Sequence, residues 1–461
     1  MDRVPVPGFS LNCVAKQALV GRNDFGFRRK AVAIKNHMIK RKSGNEPVCG
    51  FLRAFKSCIY LRVLAALLLG TQLFLARRAS AVAFRLPNQD PEAIARGNAF
   101  AATADDPAAI YYNPAGITQL DGQTASLGLY LVSVGEKFTS TSGATASVNS
   151  DFQAVPQLYY VISPKELPLS FGLGIYAPYG LAVDWGLSAP FQDVAQKGKL
   201  EYLTANPVVA WKINSQLSLA GGLTVNYAKA SFSRGIGFTP NDQFYFSGDD
   251  TEYGFNGGLM WQPVQMLAFG LNYRYSTTMQ LGGHSTAFPY ENALPTSASI
   301  HFPQNASAGV SFRPTEDWNF EFDADWTDWH VDKQIDFQGM ALGQPLGSLP
   351  QNYHSSWMYE LGATRQLGKG YFASLGYIYS ENSIPDHYFD PLIPDCNLNL
   401  ASIGLGYQGA RWTWAASYTL AFSLDRQVSG SVYQGVTPGT SVDGTYRELN
   451  NALNFSIGIK F

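Results

Sequence analysis

The side chains best suited to chemistry in this sequence do not assemble into a catalytic pattern. Asp323-x-Asp325-x-x-Asp328 has calcium-ligand residue types, but the glycine and distal glutamate of a calcium loop are missing. Gly404-Leu405-Gly406-Tyr407-Gln408-Gly409 spells the dinucleotide-binding pattern without the strand–turn–helix unit that would hold a pyrophosphate. His284, His301, His330, His354 and His387 show no H-E-x-x-H spacing, and no G-x-S-x-G supplies a nucleophile elbow. Cys13, Cys49, Cys58 and Cys396 lack the paired spacing of a thiolate zinc site. The expectation is a protein that is not an enzyme and uses no metal or cofactor, so its chemistry is recognition.

The same aspartates belong to a longer alternation. Trp318, Phe320, Phe322, Ala324 and Trp326 alternate with Asn319, Glu321, Asp323, Asp325 and Thr327, giving a strand with one aromatic and one acidic face. Trp412, Trp414, Ala416, Tyr418, Leu420 and Phe422 repeat the pattern, as do Leu217, Leu219, Gly221, Leu223, Val225 and Tyr227. The chain ends on Leu449, Leu453, Phe455, Ile457, Ile459 and Phe461, set against Asn450, Asn454, Ser456 and Lys460. These dyads run about ten residues or more, enough for a tilted strand to cross a bilayer, whereas soluble strands average about five or six. Apolar-out, polar-in alternation is the membrane-barrel pattern, and backbone groups in lipid must pair internally, so the sheet must close.

About fourteen segments qualify: near 124–135, 154–163, 168–183, 200–213, 217–232, 252–262, 266–280, 297–313, 317–330, 355–366, 370–381, 397–408, 412–424 and 449–461. The fold class is therefore all-β, a 14-stranded antiparallel transmembrane β-barrel over residues 124–461. Short connectors such as 164–167, 214–216 and 262–265 read as periplasmic turns. Longer ones near 184–199, 233–251, 281–296, 331–354, 382–396 and 425–448 read as extracellular loops. Trp185, Trp211, Trp261, Trp318, Trp329, Trp357 and Trp412 at strand ends read as interfacial girdle residues.

Charge separates the barrel from what precedes it. Of the 461 residues, 1–81 hold 15 Lys+Arg against 3 Asp+Glu, leaving 18 against 32 and a net charge of −14 for the remainder. An acidic body cannot neutralise phosphates, so nucleic acid is excluded as a partner. Val63–Leu75 is too short for a spanning helix of about 20 residues. With Arg53, Lys56 and Arg62 before it and Ala79-Ser80-Ala81-Val82-Ala83 after it, the run reads as a signal peptide cleaved after Ala81 or Ala83. Met38 is an alternative start, and removal of the leader 1–81 leaves Cys396 alone, without an intrachain disulfide. The expected location is the outer membrane of a Gram-negative bacterium. Expected partners are membrane lipid, lipopolysaccharide and the barrel assembly machinery, the last through C-terminal Phe461 of a monomeric barrel.

Barrels of this size leak unless their lumen is filled. Residues 84–123 are rich in Ala, Asp, Asn and Pro, lack strand alternation and offer a short helix over Arg96–Ala104, so they are expected to form an N-terminal hatch that plugs the barrel. At Pro178-Tyr179-Gly180 the third strand loses a ladder donor and gains a bendable residue, which predicts a kink and a gap in the wall.

Several motifs resemble, in order, those of the FadL-type outer-membrane transporters. They are Phe84-Arg85-Leu86-Pro87-Asn88, Ala95-Arg96-Gly97-Asn98-Ala99-Phe100, Ala104-Asp105-Asp106-Pro107, Asn113-Pro114-Ala115, Pro178-Tyr179-Gly180-Leu181-Ala182-Val183-Asp184, Val225–Ala230, Asp325-Trp326-Thr327-Asp328-Trp329, Ser383-Ile384-Pro385 and Ile393-Pro394-Asp395. The resemblance covers about residues 84–461. It implies passive uptake of long-chain fatty acids or similar hydrophobic molecules, which bind in a groove and an inner pocket and leave sideways where the third strand kinks. It also implies that Asn113-Pro114-Ala115 packs against that kink and that Arg234 contacts a ligand carboxylate. The family's second cation has no counterpart: residues 338–356 hold no Lys or Arg, Leu349 takes its place, and Lys333 and His354 are the nearest bases. Neutral aromatic or aliphatic hydrocarbons are therefore the alternative cargo, with a non-selective porin as the second alternative. In the loop 187–200, Phe191, Val194 and Ala195 share one face if helical and are expected to line the entrance groove.

Overall fold

The computed structural model describes residues 83–149, 152–237, 242–289, 292–340 and 344–461. The leader 1–81 and cleavage after Ala81 lie outside the described residues.

Period-two alternation becomes a closed antiparallel barrel of 14 strands. They are β1 (Gly122–Ser133), β2 (Phe152–Ser163), β3 (Leu169–Tyr176, resuming at Gly180–Asp184), β4 (Lys197–Lys212) and β5 (Leu217–Arg234). Next come β6 (Gln243–Val264), β7 (Leu267–Arg274, resuming at Thr277–Phe288), β8 (Leu294–Phe302, resuming at Asn305–Phe312) and β9 (Trp318–Thr327). The circuit finishes with β10 (Ser356–Gly368), β11 (Tyr371–Ser380), β12 (Leu398–Gln408), β13 (Trp412–Ser423) and β14 (Gly444–Lys460). β1 pairs with β14 from Thr124↔Lys460 to Ser133↔Asn451, which removes the sheet's free edges. Most connections alternate between short turns at one end and longer loops at the other, the five-residue link 289–293 between β7 and β8 being the exception.

Side chains follow the expected faces. Phe320, Leu361, Trp412, Trp414 and Leu453 are exposed on the outside, whereas Glu321, Asp323, Thr364, Ser402 and Asn454 are buried inside. Trp211, Trp261, Trp357 and Trp412 are exposed as girdle residues should be. Trp185 and Trp329 are not: both are buried, and the Trp185 indole N–H donates to Pro391 O at 2.8 Å. The long loops fold back over the barrel mouth and enclose them.

Several strands extend farther toward the loops than the alternation signals. β6 begins at Gln243, because Gln243–Asp249 pairs with Gly282–Phe288 of β7, and the hairpin Gln334–Gly339/Gln344–Pro350 adds to β8 through Thr296↔Gly339. The third strand is interrupted at the residues that lack or weaken its ladder.

Residues 84–120 carry no barrel strand and are packed against inward-facing side chains of the wall. α1 (Pro91–Ala95) is capped by Asp90, whose Oδ1 accepts from Glu92 N at 2.7 Å, with Pro91 suited to the first helical position. The helix ends where Gly97 and Asn98 take φ of 66° and 57°, so the predicted helix over 96–104 is replaced by α1 and a run of turns. α2 (Ala109–Tyr112) precedes a 3₁₀ turn, Pro114–Gln119, capped by Asn113. This segment is buried almost throughout and reaches wall residues on many strands.

Candidate functional site

The kink in β3 leaves a seam in the wall. β1 pairs with β2 along its whole length, but β2 pairs with β3 only from Leu158↔Ile175 to Ile162↔Phe171. The outer half of β2, from Phe152 to Gln157, therefore has no strand on its far side, while Gly180–Asp184 pairs only with β4. Unmet backbone groups in a membrane protein cost several kcal/mol each. Here residues 84–89 meet those of residues 177–180 at the kink. Arg85 bridges Tyr179, Leu86 N donates to Pro178 O at 2.8 Å, and Gly180 N donates to Phe84 O at 3.0 Å. The Gln89 side chain donates to Ala177 O at 2.7 Å and accepts from Ala177 N at 3.3 Å. The N-terminal segment thus supplies the pairing that β2 withholds.

Behind the seam is a cavity of about 500 Å³, within the range of about 300–1,000 Å³ usual for small-molecule sites. Phe84, Leu86, Tyr179, Leu200, Met358 and Ile378 line it. So do Lys199, Glu201 and Leu203, whose side chains lie on the exposed outer face of β4, together with inward Leu200 and Tyr202. Residues from both faces of one strand thus border the same space at the seam. Gln153–Pro156 and Leu181–Val183 form the two lips.

The lumenal acids of β9 hold the segment in place. Asp323 Oδ2 accepts from Phe100 N at 2.8 Å and Ala101 N at 2.7 Å; Glu321 Oε1 accepts from Ala102 N at 2.7 Å and Thr103 N at 3.0 Å. The Arg85 guanidinium donates to both oxygens of Asp325, at 2.6 and 2.8 Å, and to Thr327 Oγ1 at 2.8 Å. All of these side chains are buried, where charge-assisted hydrogen bonds are strong and a missing partner is expensive. Alternation shows these acids facing inward; their partners are backbone N–H groups more than 200 residues away in sequence, for which no sequence signal exists.

The expected site residues separate into groups. Pro178, Tyr179 and Gly180 are at the seam, and Tyr179 O–H donates to Pro303 O at 2.9 Å while its ring packs on Phe302 at 5.0 Å. Asn113, Pro114 and Ala115 are elsewhere: Asn113 Nδ2 donates to Ala101 O at 2.7 Å and Leu259 O at 3.0 Å, placing the motif against β6. At the kink itself the hydrogen bonds come from Gln89 and Phe84. Phe191 and Val194 are buried in a single turn, with Phe191 edge-on to Phe138 at 4.9 Å and Trp185 at 5.1 Å, and neither lines the cavity. Arg234 also lies away from the cavity lining, over the Phe244 ring at 5.8 Å and close enough to Asp390 to act on its charge.

Residues 72–457 match the model of the family described as outer membrane protein transport protein (OMPP1/FadL/TodX). The chain belongs to this family. A relative, the long-chain fatty acid transport protein of Escherichia coli O6:H1, is 24% identical over 352 residues, which is 66% of this chain and 78% of that protein. Among solved structures, a Pseudomonas aeruginosa FadL homologue superposes with a TM-score of 0.73 at 19% identity, covering 82% of this chain and all of that one. The Pseudomonas putida toluene transporter TodX gives a TM-score of 0.64 at 16% identity, covering 82% of this chain and 99% of its own. Membership in the OMPP1/FadL/TodX family places the barrel in the Gram-negative outer membrane as a transport protein.

Within that frame the cavity's charges are informative. Arg85 is committed to Asp325, Lys199 pairs with Glu201, and the other charged lining side chains are the acids Asp395 and Glu448. Among the described residues lining the cavity, no cation is free of an acidic partner.

Proposed function

We propose that this outer-membrane protein takes up hydrophobic molecules passively, down their gradient, through the apolar cavity and out sideways at the β2–β3 seam, with a preference for uncharged cargo. One observation carries the reading: residues from both faces of β4 border a single cavity at the seam. Binding there is mainly apolar burial, worth roughly 25 cal/mol per Å², so selectivity is broad. The preference for neutral cargo rests on the pairing of Arg85 and Lys199 and on the acids that share the lining. Residues 84–120 act as the hatch, whose first residues must leave the seam to open it. A lumen filled in this way argues against an open porin. Assembly through Phe461, contact with lipopolysaccharide and a monomeric state belong to the same proposal.

Long-chain fatty acids are the second reading, favoured by the name of the Escherichia coli relative and by the resemblance that gives Arg234 to a ligand carboxylate. Binding of a long-chain fatty acid, its methyl ester, toluene and an alkane, each measured with wild type and Arg234→Ala, separates the two. The expected result is equal or tighter binding of the neutral compounds, unmoved by the mutation. Preference for the acid that disappears in Arg234→Ala would overturn it.

A further inference from the structure

Three potential ligands from distant parts of the chain converge at the long-loop end. Glu136 lies on the short strand Glu136–Ser140, Glu448 lies near the start of β14, and Cys396 precedes β12. Glu136 and Glu448 are partners in register, so backbone pairing alone sets the two carboxylates side by side. A carboxylate oxygen from each and the Cys396 sulfur all lie within 4.8 Å of one another. The three residues are 2%, 9% and 0% exposed.

What marks this cluster is how little of its charge is met by direct partners, Arg426 acting on it only from a distance. Both carboxylate oxygens of Glu136 are buried without a hydrogen-bond partner. Glu448 receives only the Asn450 amide, and the neighbouring Arg426 directs its guanidinium to Asp395 O, Ile384 O and Asp386 Oδ1. Two carboxylates side by side in apolar surroundings require a counter-charge or a proton. A shared proton would serve the acids and leave the thiol idle. One ion at metal–ligand distances of about 2.0–2.3 Å would engage all three groups, and a mixed sulfur and oxygen set suits zinc better than the all-oxygen cations.

We propose that Glu136, Cys396 and Glu448 bind one zinc-class divalent cation. A thiolate and two carboxylates around such an ion leave a net negative charge, so the ion does not recruit anionic cargo; it is a structural clamp. It ties the loop 381–397 to the tops of β1 and β14 at the cavity wall, to which Glu448 itself contributes. Asp395, adjacent to Cys396, accepts from Ala83 N at 3.2 Å, so the clamp also steadies the start of the lumenal segment.

The test uses the purified barrel in detergent, stripped by chelator, incubated with Zn²⁺ or Cd²⁺, desalted and analysed for metal. The expected result is one zinc retained per chain and a cadmium–thiolate charge-transfer band. Cys396→Ser abolishes the band and Glu136→Gln weakens zinc binding at least about tenfold. Exposed His387→Ala changes neither. Folding of each variant is checked by heat-shifted gel mobility. Failure of folded wild type to retain stoichiometric metal, or retention unchanged in both ligand variants, overturns the proposal.

Discussion

At the residue scale, the buried Arg85–Asp325 pair decides whether the start of the lumenal segment stays on β3. Removing one partner of such a pair costs about 3–5 kcal/mol, because the other charge remains buried. Asp325→Asn is therefore expected to release residues 84–89 and expose the Arg85–Leu86 bond to trypsin, while wild type resists cleavage there; limited proteolysis with N-terminal sequencing reads the difference. Asp390 is a second sensitive position. Burial pushes its carboxyl from 3.8 up to about 6, while Arg234 pulls it down; Tyr433, Tyr353 and Tyr446 also face it. With the folded value raised, the native state holds the proton more tightly. The stabilisation is full below about pH 3.8 and is lost as pH rises through about 6. Thermal unfolding from pH 4 to 7 is expected to show that decline, Asp390→Asn to flatten it, and Arg234→Ala to carry it to higher pH. A carboxyl contributing this way ties Arg234 to the loops, an assignment that the residue's place at a strand end does not reveal.

At the element scale, the wall is shaped to its contents. A Cβ on Gly270 of β7 would sit 1.8 Å from Ala101 O, and one on Gly376 of β11 would sit 1.9 Å from Gly97 N. Neither backbone can retreat, so Gly270→Ala is expected to destabilise by at least about 1–3 kcal/mol, the usual scale of overpacking. Outward Gly221→Ala, whose Cβ would meet nothing nearer than Asn256 O at 4.0 Å, is the control; heat-shifted gel mobility against temperature compares them. The strands themselves were legible, because one buried and one lipid-facing side impose period two wherever the wall is regular. Legibility fails where a second layer intervenes. Trp185 and Trp329 sit at strand ends as girdle residues would, yet loops cover them. Glu136, Cys396 and Glu448 are scattered in sequence; strand register joins the two glutamates, and the path of the loop before β12 adds the cysteine. Asn113 marks its own cap but carries no sign of which wall strand receives its amide.

At the scale of the whole molecule, the proposed route makes the seam the step between binding and delivery. Val155 and Leu181 line the cavity from its opposite lips. Cysteines at these two positions, joined by a short bifunctional reagent, are expected to stop hydrophobic cargo reaching the lipid of proteoliposomes while equilibrium binding stays unchanged. Restored flux after cleavage of the linker would confirm that route, and undiminished flux in the bridged protein would refute it. Glu321 and Asp323 have a further consequence. They grip main-chain N–H groups of residues 100–103, and Glu321 also accepts from the Thr103 hydroxyl, so the grip is indifferent to the side chains of residues 100–102 but not to that of Thr103. Side-chain changes at residues 100–102 thus leave the grip itself intact, within the room that Gly270 leaves, whereas a change at either acid removes it.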